Sequence, residues 1–158
     1  KECQIAVLTV PYSAHRETLL ELSGYLQGKV LIDVTVPLMP SKVDQVHIPA
    51  GGAAGLEAQE ILGPDVRVVS AFQNISATHL QDPERDIDCD VLVCGNDNAA
   101  CEETITLVEA AGMSGLHAGL LVNAVALESL TPVLISLNKH YRIKDAGIRI
   151  TGISRTEK

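Results

Sequence analysis

Ile5-Ala-Val-Leu-Thr-Val-Pro11 and Ala118-Gly-Leu-Leu-Val-Asn-Ala124 are the two stretches on which the reading of the fold turns. The first is a continuous apolar run closed by a proline, the pattern of a strand buried on both faces that runs into a loop. The second reads as a strand end that opens a helix. Between them, apolar runs alternate with helical patterns. Ser13 to Leu26 places Leu19, Leu22 and Leu26 on one helical face, and Gly28 supplies the stop. Val30 to Val34 is the next strand, followed by a loop interrupted by Pro37, Pro40 and Pro49. Residues 53–62 read as a second helix closed by Gly63-Pro64, and Val66 to Ala71 and Val91 to Cys94 as further strands. Glu102 to Ala111 is a helix with Gly112 behind it, and a weak strand spans Ser114 to Ala118. A long helix is expected from about Val122 to Tyr141, with Pro132 kinking or breaking it near Thr131.

Short alternation of strand and helix implies parallel strands joined by right-handed crossovers. The expected class is α/β: a Rossmann-like, mostly parallel sheet of five strands with flanking helices, plus a long C-terminal helix. Composition agrees. Hydrophobic residues make up 46% of the 158, yet Phe72 and three tyrosines are the whole aromatic content, so the core is built from aliphatic side chains. That suits a Val/Ile-rich sheet under helices.

Charge and cysteine usage narrow the function classes. A net charge of -8 argues against nucleic acid as a partner, because binding a phosphate backbone needs a basic stripe. Cys3, Cys89, Cys94 and Cys101 form no Cys-x-x-Cys pair and read as reduced residues in or near strands. The histidines at 47, 79, 117 and 140 lack the i, i+4 spacing of a helical metal site, so no metal is expected. No uninterrupted apolar run approaches the roughly 18 to 20 residues that span a bilayer, and no signal-peptide pattern opens the chain. The expected setting is soluble and cytoplasmic.

In open α/β sheets, ligands bind beyond the carboxyl ends of the strands. The positions to inspect are therefore Thr9–Ser13, Thr35–Leu38, Phe72–Ala77 and Gly95–Asp97, three of which carry hydroxyl or amide side chains directly after an apolar strand. Turn chemistry places Ser, Asn and Asp at such points as well. Convergence of the loops is what separates a site from ordinary turns.

Residues 5–15, 68–77 (Val-Val-Ser-Ala-Phe-Gln-Asn-Ile-Ser-Ala), 91–97 (Val-Leu-Val-Cys-Gly-Asn-Asp) and 118–132 (Ala-Gly-Leu-Leu-Val-Asn-Ala-Val-Ala-Leu-Glu-Ser-Leu-Thr-Pro) resemble the NADPH-dependent reductases of the deazaflavin coenzyme F-420. The resemblance covers nearly the whole chain. It implies hydride transfer between NADP(H) and coenzyme F-420, with small-molecule cofactors as partners and chemistry carried by the cofactors themselves. By that resemblance Thr9, Val10 and Pro11 line the nicotinamide and ribose side, with His15 near the mouth. Gln73, Asn74, Ile75 and Ala77 lie where the two rings meet, Asn74 offering an amide to a carboxamide or ring carbonyl. Leu130, Thr131 and Pro132 help close the deazaflavin pocket. Gln73 stands where some family members carry His, so no acid or base is assigned there and no catalytic side chain is named. His117-Ala-Gly-Leu-Leu121 stands where the family usually shows Asp-Ala-Gly-Pro-Leu. His15 has a plainer alternative as a solvated first-turn histidine.

The resemblance also places a Gly-rich strand-to-helix turn and a Ser-Arg pair for the NADP ribose phosphate ahead of the counterpart of Ile5. Neither stands ahead of Ile5 in these residues, which start at Lys1. Residues 1–119 therefore read as the later part of a dinucleotide-binding domain without its phosphate-binding start. Residues 120–158 read as a helical segment for the deazaflavin pocket and for dimerisation. Alone, the 158 residues are expected to bind NADP weakly and to leave the Ile5–Val10 edge open to association. Apolar residues on several faces of the 122–141 helix favour a homodimer. Two other readings stay open: a related NADP-dependent reductase of another substrate, such as a metalloreductase domain or an imine reductase, and a non-catalytic dimerisation remnant.

Overall fold

The computed structural model describes residues 3–80 and 87–153. Strand and helix alternate along it as β1 (Ile5–Leu8), α1 (Tyr12–Leu26), β2 (Val30–Asp33), α2 (Ala54–Leu62), β3 (Arg67–Ser70), α3 (Ala77–Leu80), β4 (Asp90–Gly95), α4 (Asn98–Ala110), β5 (Ser114–His117) and α5 (Ala124–Tyr141). The five strands form one sheet in the order β1-β2-β3-β4-β5. Each expected strand is present, and the architecture is the expected mostly parallel sheet with flanking helices and a long C-terminal helix.

One seam departs from the parallel rule. β1–β2, β2–β3 and β4–β5 pair parallel, whereas β3 and β4 run antiparallel through Val69 opposite Gly95 and Ser70 opposite Cys94. Where α1 and α2 each carry the chain back across the sheet, the described part of the β3-to-β4 connection holds only the four-residue α3. The reversal carries Gly95–Asp97 away from the end of the sheet where β1, β2 and β3 deliver their loops.

Two apolar layers sandwich the sheet. On one face Leu8, Leu31, Val68 and Cys94 meet Leu19 and Leu26 of α1, Ala58 and Leu62 of α2, and Leu121, Ala124 and Leu127. On the other, Val30, Ile32, Val69, Val91 and Val93 pack on Ala100, Cys101 and Val108 of α4. The chain alternates between these faces with the two-residue period of a strand, so Leu31 and Ile32 serve different layers. Leu22, read with Leu19 and Leu26 as one stripe, is 37% exposed, and the buried positions of α1 are His15, Leu19 and Leu26. Gly28 ends α1 with φ 75°, a backbone conformation that residues with a Cβ rarely adopt.

Pro132 does not break the last helix. α5 runs unbroken from Ala124 to Tyr141, after a single 3-10 turn at Leu121–Asn123. Proline removes one intrahelical hydrogen bond, but Glu128 and Leu134, on either side of it, are both buried. Tertiary packing on both sides of Pro132 keeps the helix continuous. Residues Leu121–Tyr141 are also long and apolar enough to cross a bilayer by length and composition, with mean hydropathy 1.4 over the best window, although Asn123, Glu128, Ser129 and Thr131 interrupt the apolar run. Cys101 lies in α4 with its sulfur packed against β4 at Gly95, and all four cysteines are free.

The contact of α2 with the sheet is close enough to test. A Cβ on Gly55 would lie 2.1 Å from the Ser70 hydroxyl oxygen, and that buried oxygen has no hydrogen-bond partner among the described residues. Gly55→Ala is expected to destabilise the fold by about 1–3 kcal/mol through overpacking. Adding Ser70→Ala removes the obstruction at little cost, because no hydrogen bond is lost with it. Urea denaturation of both variants checks this, and equal stability of the single and double variants would refute it.

Candidate active site

The ends of β1, β2 and β3 deliver three loops to one edge of the sheet. On the α4 side of that edge lies a cleft of about 560 Å³, lined by Val7, Thr9, Ile32, Val34, Val36, Phe72, Gln73, Ile75, Ala77, Leu80 and Leu107. Among the described residues that line it, Thr9 and Gln73 are the only ones with polar side chains, and none is charged. Thr9, Gln73, Ile75 and Ala77 are thus brought together, from loops more than sixty residues apart.

The turn that presents Gln73 is strained. Phe72 has φ 72°, in the left-handed region that bulky residues avoid. Several bonds hold the turn in place. Gln73 is buried at 5% exposure, and its Nε2 donates to the Asp33 carbonyl at 2.8 Å. The Thr131 hydroxyl donates to the Gln73 carbonyl at 2.6 Å, tying the turn to α5. Asn74 turns away from the cleft: its Nδ2 donates to the Asp90 carbonyl at 2.8 Å, carrying the β3–β4 seam on beyond Ser70. Asn74 and Thr131 instead line a second, smaller cavity of about 240 Å³, with Leu134, Asn138, Lys144 and one wall of Gln73.

The other expected residues divide. Val10 packs against the core under α1 and α2, and Pro11 is the exposed N-cap of α1. Leu130 is half-buried and Pro132 buried, and neither lines the two cavities. His15 is neither a solvated histidine nor a residue of the cleft. It is 1% exposed on the opposite face of the sheet, its Nε2 lying 2.7 Å from Asp33 Oδ2. Asp33 completes its own shell by accepting the Thr35 amide on Oδ1 at 2.9 Å. Asn96 and Asp97 serve the fold as well. Asn96 accepts the Leu121 amide, and Asp97 caps α4 by accepting the Ala100 amide at 2.8 Å.

Two residues that the sequence did not single out organise this region. Asp33 ties α1, the end of β2 and, through its carbonyl, the Gln73 turn. Glu128, at 3% exposure, accepts the Ala54 and Gly55 amides at 2.8 and 3.1 Å, at the N-terminus of α2. Burial pushes its carboxyl up to about 7; the Gly55 and Ala54 bonds oppose the rise, Asp33 adds to it and His15 opposes it. A lone acidic residue inside an apolar helical stripe was the available signal. Nearby, the Tyr12 hydroxyl donates to Glu57 at 2.9 Å, and burial with that bond pushes the phenol up to about 12. Tyr12, His15, Arg16, Glu57 and Glu60 line a separate groove between α1 and α2.

The arrangement suits ring chemistry. An apolar slot with a few polar groups, Gln73 held by its hydrogen bonds, orients flat, weakly polar ligands, and its described residues offer no nucleophile paired with a base. Known proteins point the same way. The chain is 36% identical over 157 residues to the F420-dependent NADP reductase of Methanocaldococcus jannaschii, covering 97% of this chain and 70% of that protein. It is 39% identical over 158 residues to the F420-dependent NADP reductase of Methanothermobacter marburgensis, again covering 97% and 70%. Among solved structures, one described as a candidate F420-dependent NADP-reductase from Arthrobacter sp. FB24 superposes with TM-score 0.81 at 26% identity, covering 94% of this chain and 69% of that one. No protein-family model matches the chain. Identity above a third over nearly the full length of this chain, on a shared fold, is decisive: the chain belongs to the family of F420-dependent NADP reductases.

Proposed function

We propose that this protein transfers a hydride between NADP(H) and the deazaflavin coenzyme F-420, and that the cleft between Thr9 and the 72–77 turn is where the two rings meet. The observation that carries the reading is the wall itself: aliphatic groups from Val7, Ile32, Val34 and Ile75, with Thr9 and Gln73 as the only polar side chains among the described lining residues. Those residues fit planar heterocycles, which stack on apolar surface and need few directed bonds. When bound, the two cofactors supply the redox chemistry, one giving and the other receiving the hydride. The chain's own residues orient and exclude water. Val7, Ile32 and Val34 form the floor, Ile75 and Ala77 the side, and Thr131 holds the Gln73 carbonyl so that the strained turn keeps its aim. Such a site gains rate from reactant geometry, where a displacement of about 1 Å costs about 100-fold.

Three further assignments belong to the same reading. Residues 1–119 supply the nicotinamide side, and residues 120–158 the deazaflavin side and the dimer contact. Val122, Val133, Leu137 and Tyr141 are exposed apolar residues of the C-terminal helical run, which supports a homodimer. The setting is soluble and cytoplasmic, without nucleic acid or membrane as a partner.

The test is to mix the full protein with NADPH and the oxidised deazaflavin and follow loss of the deazaflavin's visible absorbance. Absence of transfer in both directions would refute the reading. Ala77→Trp, at an exposed position of the cleft wall, is expected to lower the rate by about 100-fold through misplacement of the rings, with an unchanged unfolding midpoint. A rate within a factor of two of the parent would exclude this cleft.

A further inference from the structure

We propose that the Gln73 side-chain oxygen is the group by which the cleft reads its ligand, and that it accepts a hydrogen bond from an amide-type N–H on a bound ring. This rests on the cleft being the site of hydride transfer. The polarity of the Gln73 amide is set by its surroundings. Its Nε2 is committed to the Asp33 carbonyl at 2.8 Å, so the two ends of the amide are not interchangeable. Oε1 is buried and has no partner among the described residues. Buried acceptors are met in the great majority of cases, and an unmet one beside a cavity marks a place where a donor belongs.

Three features direct that donor to the ligand. Gln73 is buried at 5% exposure, so its amide is held by the fold and does not rotate freely into solvent. It belongs to the wall of both cavities, the apolar cleft and the smaller one beside α5, and so stands between them. Its backbone is also pinned, by Thr131 at 2.6 Å on the carbonyl and by the left-handed Phe72 just before it. The oxygen is screened from water, the setting in which a hydrogen bond is electrostatically strongest. Phe72 and Ile75, both only half-buried, line the same cleft beside it.

The same polarity confers selectivity. A ring presenting N–H gains a bond, whereas one presenting a carbonyl or an N-alkyl group at that point leaves the acceptor unmet and meets it with like polarity or bulk. Sites built to bond a donor discriminate strongly against analogues lacking it. Two ring groups have this chemistry: the carboxamide N–H of the nicotinamide and the imide N–H of the deazaflavin.

The experiment removes each donor from the ligand. Calorimetric Kd values are measured on the full protein for NADPH and its acetylpyridine analogue, in which a methyl replaces the amide nitrogen. The deazaflavin and its imide N-methyl analogue form the second arm. One arm is expected to show weakening of about tenfold or more, identifying which ring is read. In Gln73→Met, which keeps the length without the acceptor, parent and analogue in that arm are expected to bind within about twofold of each other. Gln73→Asn, which withdraws the oxygen but keeps the amide, is expected to lose the same discrimination. Equal binding of parent and analogue in both arms by the unmutated protein would overturn the proposal, as would discrimination that persists undiminished in a folded variant. Either result, alongside hydride transfer by the unmutated protein, overturns this proposal and leaves the reading of the cleft standing. Failure of the unmutated protein to bind the parent cofactors or to transfer hydride would instead overturn the reading of the cleft.

Discussion

Asp33→Ala is expected to destabilise the protein by about 3–5 kcal/mol, the largest effect of any single substitution considered in this molecule. Asp33 and His15 form a fully buried pair, 2.7 Å apart, between β2 and α1. Removing the carboxylate leaves the His15 ring and the Thr35 amide without their partner, and neither reaches water. Each such orphaned group carries its own desolvation cost. At roughly 2–4 °C per kcal/mol for a domain of this size, the melting temperature should fall by about 6–20 °C. Replacing both partners with apolar residues, as in His15→Phe with Asp33→Leu, is expected to recover part of the loss, because only the Thr35 amide then remains unmet. Thermal unfolding and urea titration measure this. A loss below about 1 kcal/mol for Asp33→Ala would show that the pair contributes no more than an exposed one.

Glu128 is the second case, and its effect depends on pH. Its carboxyl is raised from 4.5 to about 7, chiefly by burial. A folded-state value above the unfolded one means that the folded protein holds the proton more tightly. This stabilisation is fully present below about 4.5 and is lost as pH rises through about 7, above which the curve is flat. The span corresponds to about 3 kcal/mol at 1.36 kcal/mol per pH unit. Glu128→Gln cannot titrate, so the difference in stability between it and the parent should change across that window and be constant above it. A difference with no pH dependence between 4.5 and 7 would refute the assignment. Glu128→Leu tests the other half of the role. It deprives the Ala54 and Gly55 amides of their acceptor at a buried helix N-terminus, for an expected loss of about 2–5 kcal/mol at neutral pH. Both bonds join α5 to α2, so the loss should also loosen the helix that carries Thr131 to the Gln73 turn.

How far the chain could be read without its structure follows from the range of the forces concerned. Strand and helix positions were legible because they rest on periodicity within a few neighbours: the apolar runs at 5–8, 30–33 and 67–70, and the stops at Gly28, Gly63 and Gly112. The four recurring segments were sufficient to point to the family. Of the candidate site, Thr9, Gln73, Ile75 and Ala77 converge on one cleft because parallel strands deliver their loops to one edge, a consequence of topology that the alternation already implied.

What remained hidden depends on partners distant in sequence. A reader of residues 12–26 sees a first-turn histidine, and only the approach of Asp33 across eighteen positions makes it a core residue. Glu128 has no local reason to be buried, and its acceptors' worth comes from the free amides of a helix that begins more than seventy residues earlier. Asn74 looked like a ligand contact until the reversal of β4 brought the Asp90 carbonyl to it. That reversal was itself unreadable, because strand direction is decided by where a connection lets the chain return and not by the strand's own residues. Local sequence thus determined which segments are strands and helices and which loops carry polar groups. Tertiary structure alone decided which of those groups are spent on holding the fold and which still face the cleft, since a hydrogen bond across the sheet depends on proximity that no local pattern encodes.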